Sequence, residues 1–186
     1  MDGFIDVMFQ IVSWPVVKSI LTTQVPTIQA FAENVFRFAI TTENVQVVRD
    51  LLRQQSLKEL VQSDAGILVS AIRTSNTKVV SLLLSAGADA KGTEYSLRNP
   101  LSEARTVGIA RLLLVAGANV NGTSRPWNDE VIPWHLRDWN DPPVLFAAAS
   151  GNVELTQFLI NSGADVNAHG SPDFKYKRGI MTLSRH

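Results

Sequence analysis

The side chains that could do chemistry are few and widely spaced. The three histidines, His135, His169 and His186, form no pair at i, i+4 and no H-E-x-x-H. The spacing that would place two imidazoles on one helical face for a metal is therefore missing. There is no cysteine, which excludes disulfides, thiolate metal sites and cysteine nucleophiles. G-x-S-x-G, G-x-x-x-x-G-K-[ST] and G-x-G-x-x-G are all absent. With them go the serine elbow and the two glycine turns that cradle phosphates. His135 with Asp138 and Asp141 offers the donor types of a hydrated cation site, and Asp129-Glu130 are adjacent carboxylates. Both lie in a polar stretch where solvated charge accounts for them. The residues thus point to no catalytic group, no metal and no cofactor, and to a protein that is not an enzyme.

Binding chemistry is better represented. Trp127, Trp134 and Trp139 fall between Gly122 and Asp141, together with Pro126 and Pro133. Exposed Trp, Tyr and Arg are the side chains most enriched where proteins grip one another. Seventeen basic and seventeen acidic residues cancel, so the chain lacks the basic excess of a dedicated nucleic-acid binder. The start, Met-Asp-Gly-Phe-Ile-Asp, has early acid where a secretory signal wants early base. Val7 to Leu21 is broken by Gln10, Ser13, Pro15 and Lys18 and falls short of the roughly 20 apolar residues a membrane span needs. Without an export signal, the sequon Asn121-Gly122-Thr123 is read as unused, and the expected location is intracellular, cytoplasmic or nuclear.

The elements that must position these residues are helices. Val144 to Asn167 divides into a small-residue half around Ala147-Ala148-Ala149, a break at Ser150-Gly151 and a bulkier amphipathic half, and stops on Ser162-Gly163-Ala164-Asp165. Two short helices and a tight turn fit this pattern, with Gly163 in the left-handed conformation that a Cβ makes costly. The ending recurs at Leu82 to Asp89 and at Leu112 to Asn121, and recurrence of a helix-pair signature marks a repeat array. Ala39 to Leu52 spans 13 residues, as does Ala147 to Ile160. A divergent first copy therefore starts near Asn34, with Gln55 where later copies have Gly. The third copy is short: Ala104 to Leu114 spans 10 residues, so nearly one helical turn is missing. That loss should shorten or tilt its helix pair and dent one side of the stack. About 13 residues are then inserted before the fourth copy, in the Trp-bearing stretch. Ahead of the copies, Phe4, Val7, Met8, Ile11 and Val12 share one helical face, and Pro15 should end or kink that helix.

These copies resemble ankyrin repeats. Gly163-Ala164-Asp165-Val166-Asn167 and Gly117-Ala118-Asn119-Val120-Asn121 match the family's closing turn, and Gly87-Ala88-Asp89-Ala90 matches it in part. Ala147-Ala148 with Ser150-Gly151-Asn152 matches the opening helix and its turn. The resemblance covers about residues 34–168. The family's His position holds Arg37, Val69, Ser102 and Leu145, so its Thr/His hydrogen bonds are absent. The glycine joining the two helices is matched by Gly151 and Gly108, but by Glu43 and Ser75 in the first two copies.

The resemblance implies an all-α ankyrin-repeat solenoid of stacked helix-turn-helix pairs with an N-terminal helical cap. The expected divisions are a cap at 1–32 and a repeat domain at 33–170. Its copies run at about 34–64, 65–97, 98–122 and 141–168, with an insertion at 123–140, and a tail follows at 171–186. It further implies a monomeric scaffold or adaptor that binds another protein, not nucleic acid or membrane, through its concave face and Trp-rich loop. By register the contact residues are Arg73, Tyr95, Arg98, Asp138 and Trp139, and the Trp-rich insertion beside them adds Trp127, Trp134 and His135. Two other roles fit the same residues. The missing cap after copy four suits a truncated remnant of a larger ankyrin protein, and an accessory protein of an enzymatic pathway is the other.

Overall fold

The computed structural model describes residues 14–21, 26–91, 99–122 and 142–167, and every regular element among them is helical. The chain divides into two compact units, Met1–Ala88 and Asp89–His186.

In the first unit, α1 (Trp14–Leu21) packs on α2 (Pro26–Thr41), and α2 on α3 (Val45–Leu51). Pro15 stands in the first turn of α1, where its missing N–H would have had no helical partner. Residues 27–41 contain no Gly or Pro, so α2 runs unbroken through residue 32, where the sequence reading drew the edge of the cap. Ala32, Val35, Phe36, Ala39 and Ile40, at i, i+3, i+4, i+7 and i+8, are all buried; this is the core stripe of a helix. α4 (Gln55–Ser63) was not foreseen. Gln55 replaces the turn-forming glycine of later copies, and the chain starts a new helix there, burying Leu57 and Val61. The second pair, α5 (Ala65–Thr74) and α6 (Thr77–Ser85), lies alongside the first: α5 packs on α2 and α6 on α3. Stacking first helix on first and second on second gives each pair the cover it cannot make alone.

The second unit repeats this arrangement with one change. Its elements are a 3-10 turn (Pro100–Glu103), α7 (Val107–Val115), α8 (Pro143–Ala149) and α9 (Val153–Asn161). The 3-10 turn packs on α8, and α7 on α9. The second helices α6, α7 and α9 are each nine residues long. The residues missing from copy three have therefore come out of its first helix. The reason lies in the core. Ile109, Ala110 and Leu113 of α7 fill the positions of Val79, Val80 and Leu83 in α6, all buried, and losing a turn there would tear the stripe. The first helix shrinks instead to one turn, opened by Pro100 and by Asn99, whose side chain accepts from Leu101 N at 2.9 Å and donates to Gly122 O at 2.7 Å. Gly108 is a correction to the sequence reading. It lies inside α7, whose N-cap is Thr106, and does not join two helices. The link Ala104-Arg105 does so, with Ala104 extended.

The junctions of the other copies share one geometry. Glu43, Ser75 and Gly151 take positive φ of 59°, 64° and 72°. A left-handed residue with a Cβ costs roughly 1 kcal/mol. Ser75→Gly is therefore expected to raise the unfolding free energy by about 0.5 kcal/mol, the entropy of a freer unfolded chain taking back the rest; a urea titration would register the shift. Asn44, Asn76 and Asn152 follow these residues and cap the second helices, accepting from Val47, Lys78 and Val79, and Leu155. Two of them also reach back to the preceding copy: Asn76 Nδ2 donates to Glu43 Oε2 at 2.9 Å, and Asn152 Nδ2 to Arg105 O at 2.8 Å.

The closing turns are equally alike. Gly87, Gly117 and Gly163 have φ of 97°, 93° and 94°. Asp89, Asn119 and Asp165 each accept the backbone N–H two residues on, at 2.9–3.0 Å. Asn121 ties copy three to copy four, donating to Gly163 O at 3.0 Å and accepting from Asp165 N at 2.8 Å.

Candidate functional site

Three kinds of surface on the described residues have the make-up of a site. The first is the C-terminal end of the first helices. Arg73 stands there on α5, exposed, and Ala149 with the C-cap Ser150 holds the matching place at the end of α8. Local bonds fix the backbone at both: the Thr74 hydroxyl donates to Ala71 O at 2.8 Å and that of Ser150 to Ala147 O at 2.8 Å. Of the contact residues expected from the sequence, Arg73 is within the described residues and on the surface. Tyr95, Arg98, Trp127, Trp134, His135, Asp138 and Trp139 lie outside the described residues, as does Asp141 of the cation-site reading. Among the described residues no group of three or more His, Cys, Asp or Glu could hold a metal ion, and no helix is long and apolar enough to cross a membrane.

The second surface is a cleft of about 330 Å³ where the shortened first helix of copy three faces copy four. Ser102, Glu103, Ala104 and Arg105 form one wall, and Phe146, Ser150 and Asn152 the other. Ser102 is 5% exposed and Glu103 6%. Among the described residues the Ser102 hydroxyl has no hydrogen-bond partner, which is uncommon for a buried polar group. The sequence signalled this cleft only indirectly, through the short spacing of copy three; of its lining residues, Ser150 alone falls at a first-helix contact position that register with the family implies.

The third is a wider groove of about 580 Å³ on the outer helices α7 and α9, walled by Leu114, Val115, Val120 and Phe158. Arg111 stands over the Phe158 ring, 5.7 Å from its centroid, a favourable cation–π distance.

Among the described residues, the one strongly perturbed carboxylate is structural. Asp50, on α3, accepts from Trp14 Nε1 at 3.0 Å and Gln46 Nε2 at 3.2 Å, with Lys18 Nζ at 3.4 Å. These bonds, that of Trp14 foremost, hold its pKa down at about 2 against the opposing pull of burial. Its partners come from the α1–α3 packing, and it lines neither cleft nor groove.

The ankyrin repeat family model matches residues 141–171. That span holds α8, the left-handed Gly151, α9 and the Gly163 turn, one complete copy as drawn above. No curated protein matches the chain. Ankyrin repeats are in general non-catalytic modules of protein–protein interaction. The chain carries an ankyrin repeat at residues 141–171, set among helix pairs of the same ankyrin-like build.

Proposed function

We propose that the chain is a protein-binding module. It takes its partner on the concave face made by the first helices and on the loops that precede them, and it acts as a monomer. The proposed contacts are Arg73, Tyr95, Arg98, Trp127, Trp134, His135, Asp138 and Trp139. The observation that carries this reading is the ankyrin repeat at 141–171, with copies around it that share its capped junctions and closing turns. Register puts Arg73 at the first-helix end, where it is exposed on rigid helical backbone. The Trp-bearing stretch 123–140 directly precedes the matched copy. A side chain held on a rigid element loses less entropy on binding than one on a free loop.

The test is affinity capture from the source cell, with the immobilised chain as bait, followed by titration of the captured partner. Trp134→Ala and Trp139→Ala are each expected to weaken binding tenfold or more, the usual size for an aromatic hot spot, and Arg73→Glu to weaken it with an unchanged Tm. A partner held equally well by both Trp variants would remove the insertion from the contact surface.

A further inference from the structure

We propose that the cleft between the 3-10 turn Pro100–Glu103 and α8 is a socket for a basic side chain, lysine or arginine, of the bound protein. The inference rests on the protein-binding reading and supplies the chemistry of one contact. Four observations support it. Ser102 lines the cleft, and its buried hydroxyl has no hydrogen-bond partner among the described residues, so an unmatched acceptor stands at the cleft wall. Glu103, 6% exposed, lines the same wall. A carboxylate has about four acceptor positions and serves an incoming N–H beside any donor it already holds. Phe146, half-buried on the opposite wall, offers an apolar face to a lysine stem or a guanidinium plane. The space, about 330 Å³, takes one long side chain with water to spare.

Charge decides the sign of the guest. Among the described residues Arg105 is the one cation on the lining, and it is exposed. Its field is damped by water, while the carboxylate of Glu103 acts from inside the cleft, where damping is weaker. The socket exists because copy three lost the turn that would have filled it, and so belongs to this chain's own irregularity.

The experiment is a titration of the full chain with short blocked peptides, Ac-Gly-Arg-Gly-NH2 and Ac-Gly-Lys-Gly-NH2, followed by two-dimensional amide NMR. Norleucine and glutamate peptides serve as the apolar and acidic counterparts. The basic probes should shift the amides of Glu103, Arg105 and Phe146 with millimolar dissociation constants, and the counterparts should bind tenfold more weakly or not at all. Ser102→Ala should weaken the basic probes three- to tenfold with Tm unchanged or raised, since it deletes an unsatisfied hydroxyl. Absent shifts, equal binding of the norleucine or glutamate probe, or undiminished binding by Ser102→Ala would each overturn the socket. The two readings fail separately. Basic probes lost on Ser102→Ala with no protein captured would leave the socket and sink the module; a captured partner with silent probes would do the reverse.

Discussion

Leu113→Ala is expected to lower the free energy of unfolding by about 3 kcal/mol, within the usual range for a buried leucine. Leu113 is fully buried on α7, in the copy with the least helix around it. α7 packs against α9 and against a 3-10 turn of four residues. Where a full first helix could slide inward and fill part of the void, this turn is pinned by Pro100 and by the Asn99 bonds to Leu101 and Gly122. Cavities that cannot collapse cost most. Because domains are held by only about 5–15 kcal/mol, the loss should be plain in a urea titration, with amide exchange quickened along 107–115 and 153–161. A loss below about 1 kcal/mol would mean that the shortened copy relaxes freely and is not pinned as described.

Acid should weaken the first unit through Asp50. Its pKa is about 2 in the fold against 3.8 for the free side chain. The unfolded chain thus takes up its proton first as pH falls, and stability drops with each step down through that interval. The contribution is complete above about pH 4 and gone below about pH 2. The shift corresponds to roughly 1–2 kcal/mol, taken below its face value because Lys18 and Arg53 are largely in water. Other carboxylates titrate over the same interval, so the reading is a difference. The Tm of the native chain minus that of Asp50→Asn should be several degrees at pH 6 and close to zero at pH 2. Removing the side chain altogether, in Asp50→Ala, should cost about 2–3 kcal/mol at neutral pH, since it also leaves the Trp14 and Gln46 donors unmatched. A pH-independent difference for Asp50→Asn would show that the carboxylate's charge contributes nothing to holding α1 on α3.

The residues that hold the copies together and those proposed for binding are different. Asp50, Leu113, the cap asparagines and the closing turns keep the copies in register. The proposed contacts are instead Arg73, exposed on α5 of the first unit, and the Ser102–Glu103 cleft of the second. A binding site on helix ends fixed by caps and cross-copy bonds is preorganised, and side chains already held lose little freedom on contact. The irregular copy bears on both: its lost turn leaves Leu113 with little spare packing and opens the cleft beside Ser102 that is proposed as the socket.

Much of the frame was legible in the chain itself. The helix holding Phe36, Ala39 and Ile40, the pairs around Ala71 and Leu83, and the turns at Gly87, Gly117 and Gly163 follow from helical spacing and from the dihedral that only glycine takes cheaply. Three local features were misread or missed. Gly108 looked like a junction glycine, but Thr106 caps α7 before it. Leu57, Leu60 and Val61 carried the signal of α4 at i, i+3, i+4, and the expectation of a turn at Gln55 hid it. The break drawn at residue 32 had no helix breaker to support it. Of the expected contact residues, Arg73 alone falls within the described residues. The cleft was invisible as a site because it is a space between copies and not a motif.

The sequence by itself determined that this protein is built of paired helices in recurring copies, where those copies turn, and that one of them is short. These are local matters, set by the spacing of apolar residues and by backbone dihedrals within a few positions. Only the tertiary structure decided which helix gave up the missing turn, that Ser102 and Glu103 would be buried there, and that Trp14 and Lys18 would meet Asp50 from far along the chain. Those outcomes depend on which neighbour covers which surface: a hydroxyl becomes an unsatisfied acceptor once packing has taken the water away, and the Asp50 carboxyl becomes a stronger acid once packing has brought the Trp14 and Gln46 donors and the Lys18 ammonium to it.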